Sequence, residues 1–177
     1  MTSSSENKIL YTVGHSTHSL EDFVDILQSF FIEQVVDVRR FPGSRKFPQF
    51  NKEALEKSLT ENKIEYQHLE ILGGRRKTMP DSKNTSWRND SFKGYADYMD
   101  TPEFKKGAEE LSRIAQTNRI AIMCSEAVWW RCHRSMVSDY FKAKGWKVIH
   151  IMGKGNEQEH PFTQPAKVVD GKLSYKE

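Results

Sequence analysis

Cys124 and Cys132, the two cysteines of the chain, fall in one window, Ile120-Ala-Ile-Met-Cys-Ser-Glu-Ala-Val-Trp-Trp-Arg-Cys-His-Arg-Ser135, with Glu126, Arg131, His133 and Arg134. An apolar, strand-like run ends at Cys124 and a helix start follows within ten residues. A thiol there reads as a nucleophile whose thiolate is stabilised by loop N–H groups, by Arg131 or Arg134 and by the helix start, a layout suited to sulfur transfer or phosphoryl chemistry. It reads as readily as a small hydrophobe closing a buried strand. Glu126 is a candidate general acid or base, with His15 and His133 as rivals for proton transfer near neutral pH. Cys124, Cys132 and His133 also offer ligands to zinc, but seven residues separate the cysteines where zinc knuckles use about two to four. A zinc site completed by His15 stays open, and no cofactor is required by the pattern.

Arginine is unevenly placed: Arg39, Arg40 and Arg45 lie in one segment, Arg75, Arg76 and Arg88 in a second, and Arg131 and Arg134 in a third. Three such loops can converge on one anion, while any single arginine reads equally as solvated or paired with one of the 24 carboxylates. Asp37, at the end of an apolar strand, is placed to hold Arg39 or Arg134. Trp87, Trp129 and Trp130, interleaved with Arg88 and Arg131, suit stacking on a base of a nucleotide or of single-stranded nucleic acid, or the anchoring of loops on the body. Gly14 and Ser16 belong to a polar turn suited to an anion, and Gly73-Gly74 and Gly153-Lys-Gly155 are weaker candidates for phosphate approach.

The elements that must position these residues alternate. Strands are expected over Lys8–Val13, Glu33–Val38, Ile64–Leu69, Ile120–Met123 and Lys147–Ile151. Helices are expected from Leu20 to about Phe31 behind Ser19 as cap, from Asn51 to about Asn62, over Ser91–Met99, from Thr101 to Gln116 with Pro102 at the first position, and from Arg134 to Lys144 before Gly145. This order predicts an α/β fold: a single-domain three-layer sandwich with a mostly parallel sheet. Val168-Val-Asp-Gly-Lys-Leu-Ser-Tyr175 predicts a C-terminal hairpin through its Asp-Gly turn. Residues 1–7 read as a disordered lead, 8–177 as one domain, 75–89 as a long loop or lid, and 165–177 as the hairpin segment. Ligands of open α/β sheets sit beyond the carboxyl ends of the strands, where Gly14-His15-Ser16, Asp37-Arg39, Leu72-Gly-Gly-Arg75 and Cys124-Ser-Glu126 should share one rim.

The apolar fraction of 37% supports one core, the net charge of +3 selects no partner by itself, and no apolar run reaches a membrane span. The N-terminus lacks the basic and apolar regions of a signal peptide, so the chain reads as cytoplasmic, with its cysteines as thiols and no membrane partner.

Five ordered motifs carry a resemblance: Thr12-Val-Gly-His-Ser-Thr17, Val36-Asp-Val-Arg39 with Phe41-Pro-Gly-Ser44, Leu72-Gly-Gly-Arg75, Gly94-Tyr-Ala-Asp-Tyr98, and Met123-Cys-Ser-Glu126 with Cys132-His-Arg-Ser135. From about Ile9 to Ile151 the chain closely resembles the family known as domain of unknown function 488 (DUF488). The resemblance assigns Gly14, His15, Ser16, Asp37, Arg39, Cys124, Glu126, Cys132, His133 and Arg134 to the family pattern. Relatives often carry proline before the second cysteine, where this chain has Val128-Trp-Trp-Arg131. Family members have often been labelled DNA-repair proteins, so the resemblance implies a nucleotide or nucleic-acid partner. A looser likeness to rhodaneses and cysteine phosphatases rests on the early Asp-Val-Arg strand and the strand ending in cysteine, although six residues separate Cys124 from Arg131, one more than in the phosphatase cradle.

The leading expectation is therefore an enzyme acting on a phosphate-bearing substrate, nucleotide or nucleic acid, in repair or modification. Cys124, Glu126, His15 and His133 are the candidate catalytic groups, and Gly14, Ser16, Asp37, Arg39, Arg75, Trp130, Arg131 and Arg134 the candidate binding groups. The alternatives are a rhodanese-like sulfurtransferase and a non-catalytic nucleic-acid-binding module.

Overall fold

The computed structural model describes residues 8–43 and 45–177, so the lead over residues 1–7 and Ser44 lie outside the described residues. Among the described residues the strands are β1 (Ile9–Gly14), β2 (Gln34–Asp37), β3 (Glu65–His68), β4 (Ile120–Cys124), β5 (Lys147–Gly153) and β6 (Asn156–Glu159), forming one sheet in the order β3-β2-β4-β1-β5-β6. The pairings β2–β3, β2–β4, β1–β4 and β1–β5 are parallel, and β6 runs antiparallel to β5. The helices are α1 (Leu20–Ser29), α2 (Lys52–Glu61), α3 (Asp90–Met99), α4 (Pro102–Thr117) and α5 (Arg134–Ala143).

Alternation along the strands sorts side chains into two cores. Tyr11, Val13, Val35, Ala121 and Met123 pack with Phe23 and Leu27 of α1 and Leu55 and Leu59 of α2. Leu10, Val36, Ile120, Ile122 and Val148 face the other way, onto Tyr95 of α3, Phe104 and Leu111 of α4, and Met136, Val137 and Phe141 of α5. Helices thus cover both faces, the three-layer α/β arrangement that the alternating sequence implies.

Local chemistry sets the helix ends. Ser19 Oγ accepts from the Asp22 N–H, and Thr101 Oγ1 accepts from the Phe104 N–H ahead of Pro102, so both caps sit where the sequence predicts them. After α5 the chain leaves through Gly145, whose φ of 91° suits glycine. The C-terminal hairpin pairs β7 (Lys167–Val169) with β8 (Lys172–Ser174), and its two-residue turn places Asp170 and Gly171 at φ 52° and 75°. Both angles are left-handed, as the twist of a tight hairpin demands.

Two sequence expectations need amendment. Strand β6 was not foreseen, because Asn-Glu-Gln-Glu is polar on both faces and fully exposed, without the alternation that marks a strand. Its existence turns Gly153-Lys-Gly155 into the β5–β6 turn, with the Gly155 N–H donated to Ser29 Oγ rather than to a ligand.

The stretch 73–89 carries neither helix nor strand, yet side chains fasten it. Ser82 Oγ and Asn84 Nδ2 donate to Asp97 Oδ1, Met79 N–H donates to Asp97 Oδ2, and Trp87 packs on Phe92 and Tyr175. No helix among the described residues is long and apolar enough to cross a membrane.

Candidate functional site

From β1 the chain crosses to β2 on one side, and from β4 through α5 to β5 on the other. The neighbouring strands β1 and β4 therefore flank the point where the winding reverses, and a crevice opens beyond their carboxyl ends. Gly14 and Cys124, the last residues of these strands, are register partners. The pairing continues outward, His15 N–H to the Cys124 carbonyl and Ser16 N–H to the Ser125 carbonyl, each at 3.0 Å. A Cβ on Gly14 would lie 1.6 Å from the Glu126 carbonyl oxygen, so only glycine lets the cysteine loop fold back over β1. Gly14 thus shapes the site and is not among the groups lining it.

The crevice is a cavity of about 660 Å³. His15, Ser16, Arg39, Arg75, Cys124, Glu126, Arg131, Cys132 and His133, nine of the residues singled out in the sequence, line it together. Arg40 and Lys46 add charge, and Phe41, Phe92 and Tyr95 add apolar walls. The exposed Phe41 ring lies between two guanidiniums, 5.4 Å from Arg40 and 5.8 Å from Arg75. Among the described residues Glu126 is the one carboxylate that lines the cavity with these cations, a balance of charge that suits an anion.

Asp37 and Arg134 stand behind the wall. Arg39 donates from Nε to Asp37 Oδ1 (2.9 Å) and from Nη2 to Oδ2 (2.7 Å), and the Tyr66 hydroxyl donates to Oδ2 (2.6 Å). This fork aims the remaining Arg39 nitrogen at His15 Nε2, 3.4 Å away. His15 Nδ1 faces the Ser16 carbonyl at 2.9 Å, and a carbonyl only accepts, so Nδ1 carries the proton and Nε2 presents its lone pair. Burial, with the Arg39 charge beside it, lowers the His15 pKa to about 4 and leaves the ring neutral.

Of the two arginines that the sequence offers to Asp37, Arg39 occupies the carboxylate and Arg134 does not. Arg134 is fully buried at the start of α5 and donates from Nη2 to the Ala127 carbonyl at 3.3 Å, while its Nε and Nη1 have no hydrogen-bond partner in the protein. The other buried carboxylate, Asp139, is also taken: it accepts from Thr163, Tyr175 and His160. A buried guanidinium without an anion costs several kcal/mol. Its charge acts on Cys124 and Cys132 and on His133 and His150, lowering the pKa of each.

Burial raises the Cys124 pKa, but a hydrogen bond from Cys132, the Arg134 charge and a backbone hydrogen bond at Glu126 outweigh it, and the thiol titrates below its ordinary value. Cys132 goes the other way: burial and the neighbouring Cys124 push its thiol well up. On its other side Cys132 Sγ lies 3.5 Å from His133 Nδ1, whose ring is fixed by Nε2–H donating to the Val38 carbonyl at 3.1 Å. Burial holds His133 neutral, with a pKa of about 4. Among the described residues no group of three or more His, Cys, Asp or Glu side chains is arranged to hold a metal ion.

The family model described as Domain of unknown function DUF488 matches residues 19–141, and all the loops that build the cavity except the β1 turn fall inside the match. The chain belongs to the DUF488 family. Comparison with curated proteins and with solved structures gives no match. In this DUF488 protein the tryptophans divide. Trp129 is buried, stacked on His150 at 4.7 Å and donating Nε1–H to Gln158 Oε1, while Trp130 is 51% exposed and lines a neighbouring cavity, not the basic one.

Two features escape the site residues chosen from sequence. Tyr95 lines the cavity, packs on His133 at 4.9 Å and donates its hydroxyl to the Leu72 carbonyl; its signal was the Gly94-Tyr-Ala-Asp-Tyr98 motif. Beneath Trp129 runs a buried chain of hydrogen bonds, Thr12 Oγ1 to His150 Nδ1, His150 Nε2 to His160 Nδ1, and His160 Nε2 to Asp139 Oδ1. Its bonded partners lie up to 138 residues apart, so no local pattern announces it.

Proposed function

We propose that this DUF488 protein is an enzyme in which the Cys124 thiolate attacks a phosphate-bearing substrate of the nucleotide or nucleic-acid class, in a repair or modification role. Arg39, Arg40, Arg75 and Arg131 hold the anionic group, Glu126 carries a proton to or from the leaving group at the cavity mouth, and Cys132 and His133 manage the proton behind the nucleophile. One observation carries the reading: Arg134 is fully buried with two guanidinium nitrogens unpartnered and both buried carboxylates among the described residues engaged elsewhere, and its charge acts on Cys124 at the floor of a basic cavity. A structural cysteine needs neither the counter-charge nor the opening.

Alkylation by iodoacetamide, followed site by site with mass spectrometry across pH, tests it. Cys124 should react at neutral pH and Cys132 only far above it, and inorganic phosphate should slow the Cys124 reaction. Equal, slow labelling of both thiols would defeat the nucleophile and leave a binding module. Thiocyanate formation from thiosulfate and cyanide, lost in Cys124→Ser, would assign the same thiolate to sulfur transfer instead.

A further inference from the structure

A second cavity, of about 800 Å³, adjoins the basic one. Phe92 lines both, and consecutive residues of the turn after Val128 divide between them, Trp130 to the second cavity and Arg131 to the first. The same split recurs on the facing segment, where Asn89 belongs to the second and Ser91 to the first. A ligand whose anionic group sits among the arginines would have its next few atoms over Phe92 and Trp130.

We propose that this second cavity is a nucleobase subsite, so that the substrate class of the basic cavity, on the reading above, is a nucleotide seated across both. The chemistry of the walls argues for a base. Trp130 and Phe162 are 51% and 37% exposed, a state in which large rings cost hydration and which a planar π-face relieves. Beside them Gln164 brings its amide and Asn89 its amide nitrogen, donors and acceptors that read a base edge, while Asn89 Oδ1 caps α3 and the Thr163 hydroxyl is held by Asp139. Arg88 and Lys167 flank the cavity, so a further phosphate leaving the base meets positive charge again. Trp87 supplies a second, independent sign: it lines the cavity, and its Nε1–H is a buried donor with no acceptor in the protein, a rare condition in a folded chain.

Protection of Cys124 from iodoacetamide reports occupancy of the basic cavity, and comparing probes separates the two claims. Inorganic phosphate, thymidine monophosphate and an eight-residue thymidine oligonucleotide are titrated against the full chain and against Trp130→Ala and Phe162→Ala. The nucleotide should protect at a concentration about tenfold lower than phosphate and should quench tryptophan fluorescence. Both variants should lose most of that advantage, with phosphate protection and the unprotected alkylation rate unchanged. Tighter protection by the oligonucleotide would assign the subsite to a strand, and equal protection to a free nucleotide; either supports the subsite. If phosphate protects and the nucleotide does no better, or if both variants protect as the unaltered chain does, the subsite is overturned while the thiolate reading stands. If neither phosphate nor nucleotide protects, both fall together.

Discussion

Removing the charge of Arg134 should cost the protein a reactive cysteine more than it costs a contact. Its side chain makes one hydrogen bond, to the Ala127 carbonyl, and its charge draws the Cys124 pKa down against the effect of burial. Arg134→Met keeps the bulk and removes the cation, so the Cys124 pKa should rise and its alkylation at pH 7 should slow by about tenfold, as expected for loss of an opposite charge beside a titrating group. Arg134→Lys should recover part of the rate; unchanged alkylation in Arg134→Met would show that the guanidinium does not set the thiolate. The sequence leaves Asp37 to hold either Arg39 or Arg134, and an arginine at a helix start is unfavourable unless something negative compensates it. The structure gives Asp37 to Arg39, which folds back on the carboxylate from two residues beyond it, past the end of β2, and spacing alone does not show that. The clustering of His15, Arg39, Arg75, Cys124 and Glu126 was legible for a different reason, since each stands at the end of a strand or in the segment that leaves it, and the alternation of elements already aligned those ends.

At the scale of elements, the two strand ends and the loops they launch form one unit, and Gly14 is its joint. Gly14→Ala drives a methyl group into the Glu126 carbonyl. The loop must move, at a cost of roughly 1–3 kcal/mol in urea denaturation, and Cys124 should lose its low pKa, read as slower alkylation at neutral pH. A variant as stable and as reactive as the parent would mean that the loop has slack that the structure denies. Elements defined by caps, periodicity or a primed turn were readable from sequence: Ser19 before α1, Thr101 and Pro102 before α4, Asp170-Gly171 in the hairpin. Strand β6 was not, because an exposed edge strand buries neither face, and its residues are chosen for solubility more than for pairing. What fastens the C-terminal segment was equally hidden. Asp139 on α5 gathers the His160 ring, the Thr163 N–H and hydroxyl, and the Tyr175 hydroxyl, tying β6 and the hairpin to the helix. Asp139→Ala leaves these buried donors unpaired and should destabilise the fold by about 3 kcal/mol or more; a loss under about 1 kcal/mol would show that the segment is held by packing alone.

The whole molecule carries three histidines that folding keeps neutral. Burial lowers His15 and His133 to a pKa of about 4 and, with His160 and the Arg134 guanidinium nearby, His150 to about 2, against 6.5 for an unhindered ring. The unfolded chain therefore binds protons below pH 6.5 that the folded chain refuses until near pH 4 or lower. Stability from these groups is complete above the unfolded value and is lost as pH falls, each contributing a slope of about 1.4 kcal/mol per pH unit in that window. Near pH 5 the three together should make unfolding take up close to three protons beyond those due to carboxylates. The urea midpoint should accordingly fall steeply from pH 6.5 to 4.5, well before ordinary acid denaturation. His150→Gln should flatten the slope by about one proton even though it breaks the bonds to Thr12 and His160 and lowers stability at pH 7. The slope identifies the cause where the midpoint cannot, because a mutation that merely loosens packing shifts the curve without changing how many protons unfolding consumes. A midpoint flat between pH 6.5 and 5 would mean that the rings are already charged in the folded protein. The Thr12–His150–His160–Asp139 chain would then need a different proton arrangement from the one its acceptors dictate.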